Sequence, residues 1–175
     1  MAKRSSEQIY QDEKKLLFEL AKNSKSNIET IAKKCGFSRQ KVWRMIKELE
    51  EKKLIWGNTA IFDEEKIGLK HFLFVAKRTS SKLDEKIIDT IVSRKLEDVA
   101  AQLGVTIESS CYVHGEYDWV LTATAEDVIQ AKKFSDLLIY QFPGVFERIT
   151  ILQTLLCMKK QYVTNPEKEK LKNFL

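Results

Sequence analysis

The sequence is short of the residues that metal centres, disulfide scaffolds and membrane spans require. Its three cysteines, Cys35, Cys111 and Cys157, lie far apart, with no CxxC and no Cys/His cluster. No metal site or other cofactor is expected. An odd cysteine count and no signal-like leader lead us to expect a reducing cytoplasm. No apolar run approaches the ~20 residues of a membrane span, so no membrane partner is expected. No internal repeat is evident. The most telling absence is local. From Thr30 to Lys47 there is no acidic residue, while Lys33, Lys34, Arg39, Lys41, Arg44 and Lys47 are all positive.

What is present is a globular composition, 43% hydrophobic and 31% charged over 175 residues. That length holds one large domain or two small ones. Net charge is +5, unevenly placed. Met1 to Glu64 carries 14 basic and 10 acidic residues; the remainder carries 16 and 15. The excess points to a nucleic-acid partner for the first third.

That third contains IETIAKKCGFSRQKVWRMIKELEEKKLIWGN, Ile28 to Asn58. At 100° per residue, Val42, Met45, Ile46 and Leu49 share one stripe, the buried one. Gln40, Arg44 and Lys47 lie opposite, with Trp43 on their flank. Ser38 suits an N-cap. Arg39, Gln40 and Lys41 then occupy the first turn, where cations oppose the helix dipole at roughly 0.3–1 kcal/mol each. An anionic partner explains a choice that stability does not. The pattern is that of a helix–turn–helix with a groove-reading second helix.

The expected DNA-binding residues are Lys34, Ser38, Arg39, Gln40, Lys41, Trp43, Arg44 and Lys47. Arg44 can bond both acceptors of guanine, and Gln40 can pair with adenine; phosphate contact is the alternative for both. Trp43 either presses on a sugar or thymine methyl or packs on the segment that follows. Lys33, Lys52 and Lys53 are weaker phosphate candidates.

The remaining elements read in order. Met1 to Tyr10 is polar and expected to fray, and Asp12 to Asn23 is a first helix. Ser26 to Glu29 is a capping box opening the second, which Gly36 stops. The third runs from Arg39 to about Lys52. Leu54 to Asp63 flanks Gly57-Asn58 and predicts a hairpin wing.

Helix, helix, basic helix, hairpin and a KIGLKHF connector resemble the Lrp/AsnC (feast/famine) family. The likeness covers almost all the chain. It rests on IAKKCGFSRQKVWRMIKELEEKKLI and, some sixty residues later, on HGEYDWVL, similar to the family's G-x-Y-D turn. Lys53 stands where the family usually has Gly. Either a lysine is held there at positive φ, at about 1 kcal/mol, or the helix closes differently.

Beyond the connector, a strand is expected over His71 to Thr79. A helix follows over Leu83 to Arg94, with Ile87, Ile88, Ile91 and Val92 inward. Lys95 to Leu103 either continues it or forms another helix, and is an insertion relative to the family. Strands follow at Val105–Val113 and Tyr117–Ala125. A helix spans Glu126 to Phe142, with Val128, Ile129, Phe134, Leu137, Leu138 and Tyr140 among its apolar positions. A long strand over Val145 to Met158 and a charged tail, Lys159 to Leu175, with room for a short helix after Pro166, complete the chain.

The fold class is therefore α+β: an N-terminal winged helix–turn–helix plus a C-terminal ferredoxin-like βαββαβ domain. The expected domains are 1–64 for DNA, a linker at 65–70, an effector and dimerisation domain at 71–160, and a tail at 161–175. Phe72 and Phe74 are expected on a sheet face that a dimer covers. Cys111 is expected to be a buried thiol, and His71 structural.

The resemblance implies a transcription regulator, not an enzyme. Its partners would be a palindromic double-stranded DNA operator, a second copy of the chain with assembly up to octamers, and an amino-acid-like effector. The effector would sit at His114, Gly115, Tyr117 and Asp118, with Asp118 taking an ammonium group. A tight turn held by an Asx-type bond is the alternative there. No catalytic residue is expected, and His114 reads as a surface side chain. Two other functions fit the same fold: a haem-biosynthesis decarboxylase-like enzyme and an architectural DNA-compacting protein.

Overall fold

The computed structural model describes residues 5–93 and 95–175. The chain divides into two compact units. One holds the helices before Ile61 together with Met158–Leu175; the other is Phe62–Cys157.

The first unit opens with α1, Ser6–Lys22. Ser5 caps it by accepting from the Gln8 N–H, and Glu7 and Lys22 sit at the ends that favour their charges. Residues 6–10 are therefore helical rather than frayed, which corrects the sequence reading. Residues 1–4, the rest of that expectation, lie outside the described residues.

α2 spans Ile28–Cys35. Its cap is Asn27, whose side chain accepts from the Thr30 N–H at 2.8 Å, so the Ser26–Glu29 box does not form. Asparagine caps as well as serine, and here it stands one residue nearer the first turn. Gly36 closes the helix at φ 66°, and the Phe37 N–H reaches the Ala32 carbonyl at 2.8 Å.

α3, Arg39–Glu51, starts from Ser38, which accepts from the Lys41 N–H. Leu16, Ile31, Ala32, Cys35, Val42, Met45 and Leu49 form the core of the three helices. Truncating the fully buried Leu16 or Leu49 to alanine should cost about 2–5 kcal/mol.

Lys53 does take the left-handed conformation, at φ 57°. Its N–H reaches Glu50 and that of Leu54 reaches Leu49, so the turn satisfies the last carbonyls without glycine. The hairpin expected over Leu54–Asp63 is absent: no strand is assigned there, and Trp56 is 95% exposed. Gly57 does not take positive φ, which a type I′ turn demands. An isolated two-stranded ribbon is also marginal without a face to bury.

The second unit is built on β1 (Lys70–Arg78), β2 (Thr106–Tyr112), β3 (Trp119–Ala125) and β4 (Phe146–Gln153), in the order β2-β3-β1-β4. All neighbours are antiparallel. α4 (Glu85–Val92) and α5 (Lys95–Gln102) follow β1, and α6 (Val128–Gln141) follows β3. This is the ferredoxin-like order with one added helix. The insertion forms a separate helix that buries Ala100 completely.

Alternation along β1 decides the faces. Phe72 and Phe74 are buried with Leu121 and Ala123 in the core that also takes in α6, and Ala76 is buried on the same face. Phe74 meets Phe134 of α6 edge-on at 5.2 Å. Phe72 and Phe74 are thus not on the open face. That face carries Leu73, Val75, Val120 and Leu152, the residues of opposite parity in the same registers. Cys111 pairs with Val120 and is exposed, not buried. The period of two was legible, but not which parity faced the helices.

The helices needed similar correction. Ile87 and Ile91 pack on the core, whereas Ile88 and Val92 point outward. In α6 the buried set is Ala131, Phe134, Ser135 and Leu138, while Val128, Ile129 and Tyr140 are exposed. β4 stops at Gln153 rather than Met158. The chain beyond Cys157 makes a small hairpin, β5 (Lys159–Lys160) with β6 (Val163–Thr164), and a 3-10 turn over Lys168–Asn173. Among the described residues no helix is long and apolar enough to cross a membrane, and no group of histidine, cysteine and acidic residues could hold a metal.

Candidate nucleic-acid interface

Ser38, Arg39, Gln40, Trp43 and Arg44 converge on one open groove of about 750 Å³, closed on its other side by Ile28 of α2. All five are exposed. The first turn of α3 holds no acidic residue, so no carboxylate of that turn competes for the Arg39 guanidinium in the groove. Trp43 stands 59% exposed, with the Lys47 ammonium 5.9 Å from its ring. It lies in this groove and not under a wing.

The cations differ in how firmly they are held. Arg44 approaches Glu48 at 3.6 Å and Lys47 approaches Glu51 at 3.9 Å, all four largely exposed. Such pairs contribute about 0–1 kcal/mol and yield readily to a phosphate. Lys34 lies 3.7 Å from Glu19. Hydrogen bonding from Lys22 holds the Glu19 carboxyl below its ordinary range, with the Lys34 charge adding to this.

Lys41 is a different case. Its ammonium sits 2.5 Å from Asp12 Oδ2, with side chains only 13% and 11% exposed. It also lies 3.5 Å from the centre of the Phe37 ring. Lys41 is therefore turned inward, tying α3 to α1, and does not join the groove residues; this corrects its place among the DNA contacts. The sequence signal was available only as an acidic residue on α1, since nothing local pairs positions 12 and 41.

The turn between β2 and β3 holds the other expected site. His114, Gly115 and Glu116 are exposed, and Gly115 takes φ 156° with nothing within 4 Å of where a Cβ would stand. Tyr117 is half-buried beside Arg148, whose guanidinium is 5.9 Å from the ring. Asp118 does not make an Asx-type bond. Its Oδ2 accepts from the Arg78 N–H at 2.8 Å, and its own N–H donates to the Ala76 carbonyl at 3.0 Å. One of its oxygens thus closes the β1–β3 ladder rather than standing open to a ligand. Arg78 in turn donates to the Tyr112 hydroxyl at 2.9 Å, a contact the sequence did not suggest.

Residues 13–55 match the family described as winged helix-turn-helix DNA-binding. Over the whole chain, the structure is similar to an AsnC family transcriptional regulator from Agrobacterium tumefaciens. The TM-score is 0.62 at 20% identity, covering 89% of this chain and 96% of that one. A transcriptional regulator from Neisseria meningitidis, solved as a complex with L-methionine, matches at TM-score 0.62 and 18% identity over 94% of this chain and 97% of its own. The fold is that of the Lrp/AsnC regulators. In sequence, the proline dehydrogenase transcriptional activator of Rhodobacter capsulatus is 26% identical over 122 residues, 69% of this chain and 74% of that protein.

Within this Lrp/AsnC-type architecture the charge is more polarised than a linear cut suggested. The unit containing α1–α3 and Met158–Leu175 holds 19 lysines and arginines against 10 acidic residues, a net +9. The unit Phe62–Cys157 holds 11 against 15, a net −4. The sequence reading missed this because the last eighteen residues belong with the helices.

Proposed function

We propose that this protein is a sequence-specific DNA-binding transcription regulator of the Lrp/AsnC type that acts as a homodimer or a larger assembly. The groove on α3 carries the proposal: Arg39, Gln40, Trp43 and Arg44 stand exposed together at the start of a helix with no acid in its first turn. Arg44 and Gln40 have the donors that read guanine and adenine edges in a major groove. Lys34 and Lys47 suit phosphates, and Ser38 both caps the helix and lines the groove. Two-fold symmetry would match a palindromic operator. Residues 1–64 would provide the DNA contacts and residues 71–160 the dimer and effector functions, joined by 65–70. The mechanism is binding at a promoter, not catalysis.

Dimerisation is supported by the uncovered sheet face of Leu73, Val75, Val120 and Leu152, with Leu152 49% exposed. An amino-acid effector is supported by the likeness to a regulator solved with L-methionine and by the open space at Gly115. His114, Gly115 and Tyr117 remain the contact candidates. Asp118 would act by holding the turn, with its Oδ1 as the oxygen left for an ammonium group.

Competition binding tests the DNA reading. Specific duplex should be preferred over random duplex by roughly 10³ or more. Arg44→Ala should lower that preference by about 1–3 kcal/mol, whereas Lys34→Ala should weaken both duplexes alike. Equal affinity of the intact protein for all duplexes would leave the architectural reading in its place.

A further inference from the structure

The outward face of α6 is apolar at both ends and charged in the middle. Val128 and Ile129 near its start are 53% and 60% exposed, and Ile139 and Tyr140 near its end are 52% and 82% exposed. Lys132 and Asp136 lie between them, both exposed, and neither has an ion-pair partner among the described residues. At 100° per residue these six side chains fall within an arc of about 120°, turned away from the buried set of Ala131, Phe134, Ser135 and Leu138. Four large apolar side chains left wet on one helix face mark an interaction surface.

The pattern is its own complement. Turned end for end about a two-fold axis near Phe134, the helix brings Val128 to the partner's Ile139, Ile129 to the partner's Tyr140 and Lys132 to the partner's Asp136. Each contact then occurs twice, as an isologous interface requires. Positions 128 and 140 stand about 18 Å apart along the axis, so two antiparallel helices overlap over the whole stripe. We infer that the outward face of α6 binds the same face of a second copy of this chain. The apolar ends supply the buried area. The two ion pairs fix the antiparallel direction, because a parallel pair would set each charge against its own kind. One helix face offers less than the ~800 Å² per partner of a standard interface. The contact therefore serves to join subunits already paired through the open sheet face of Leu73, Val75, Val120 and Leu152, where two such contacts per dimer act together. The inference rests on the larger-assembly reading above and names the surface that builds it.

Sedimentation of the full-length protein without DNA, from micromolar to submillimolar concentration, is the test. The parent should grow beyond the dimer as concentration rises. Tyr140→Ala should weaken that step by about tenfold or more. Lys132→Asp and Asp136→Lys should each do the same, by setting like charges together twice. Mixed in equal amounts, these two variants should assemble as the parent does, because every altered charge then faces its opposite on the other chain. All the positions are exposed, so the circular dichroism of each variant should match the parent's. A parent that never exceeds a dimer, variants that assemble as well as the parent, or a mixture no better than its components overturns the proposal. Any of these would leave the sheet-face dimer and the DNA reading standing, since Val75→Lys tests the first and duplex competition the second.

Discussion

Removing Asp12 should cost the helical unit far more than any surface charge, because it strands Lys41. The pair is close, 2.5 Å, and nearly sealed, with 13% and 11% of the side chains exposed. Gln8 donates to the other Asp12 oxygen at 3.1 Å, so the carboxylate is well satisfied. Breaking a buried pair from one side costs about 3–5 kcal/mol, whereas replacing both partners by apolar groups is often neutral. The Phe37 ring under the ammonium offsets part of the loss, so Asp12→Leu should cost about 3 kcal/mol. Asp12→Leu/Lys41→Met should return to within about 1 kcal/mol of the parent.

Urea denaturation followed by tryptophan fluorescence measures this. Trp43 and Trp56 lie in the helical unit and Trp119 in the other, so a Trp119→Phe background isolates the transition. With a slope of about 1 kcal/mol per molar urea for a unit this small, the midpoint should fall by about 3 M or the unit should be unfolded in buffer. A loss below about 1 kcal/mol for Asp12→Leu, or a double variant as unstable as the single, would refute the buried-pair account. The folded double variant should also keep the parent's salt slope for DNA. A fall of about 0.9 would restore Lys41 to the phosphate contacts.

Two further outcomes are expected. Light scattering at micromolar concentration should give twice the 20.4 kDa chain mass or a multiple of it, and Val75→Lys on the open sheet face should shift it towards monomer; a monomeric parent protein would remove the sheet-face argument. Gly115→Arg should abolish amino-acid binding in calorimetry while dimers still bind DNA, because a side chain there occupies open space and must adopt φ 156°. Undiminished ligand binding would place the pocket elsewhere.

The sequence by itself determined whatever depends on neighbours along the chain. Ser38 as cap, Gly36 as stop and the Val42–Met45–Leu49 stripe follow from helical geometry and backbone hydrogen bonding, which act over three or four residues. At Lys53 the sequence left two ways to close the helix, and the structure takes the left-handed one, at φ 57°. The ferredoxin-like order came through because each strand and helix carries its own period.

Tertiary structure alone decided which of two equivalent faces is buried and which distant charges meet. Phe72 and Leu73 are both strong apolar strand residues, and packing against α6 selects the first. Ile87 and Ile88 differ only by rotation about α4. Lys41 looked like its basic neighbours until α1 brought Asp12 against it, and Asp118 looked free until β1 offered the Arg78 N–H. The tail read as a charged segment with a short helical turn after Pro166, which the 3-10 turn over Lys168–Asn173 matches; its joining the helical unit is a contact between the ends of the chain. Local rules carry no information about such contacts, because the energy of a buried pair or a packed face depends on partners that only the fold supplies.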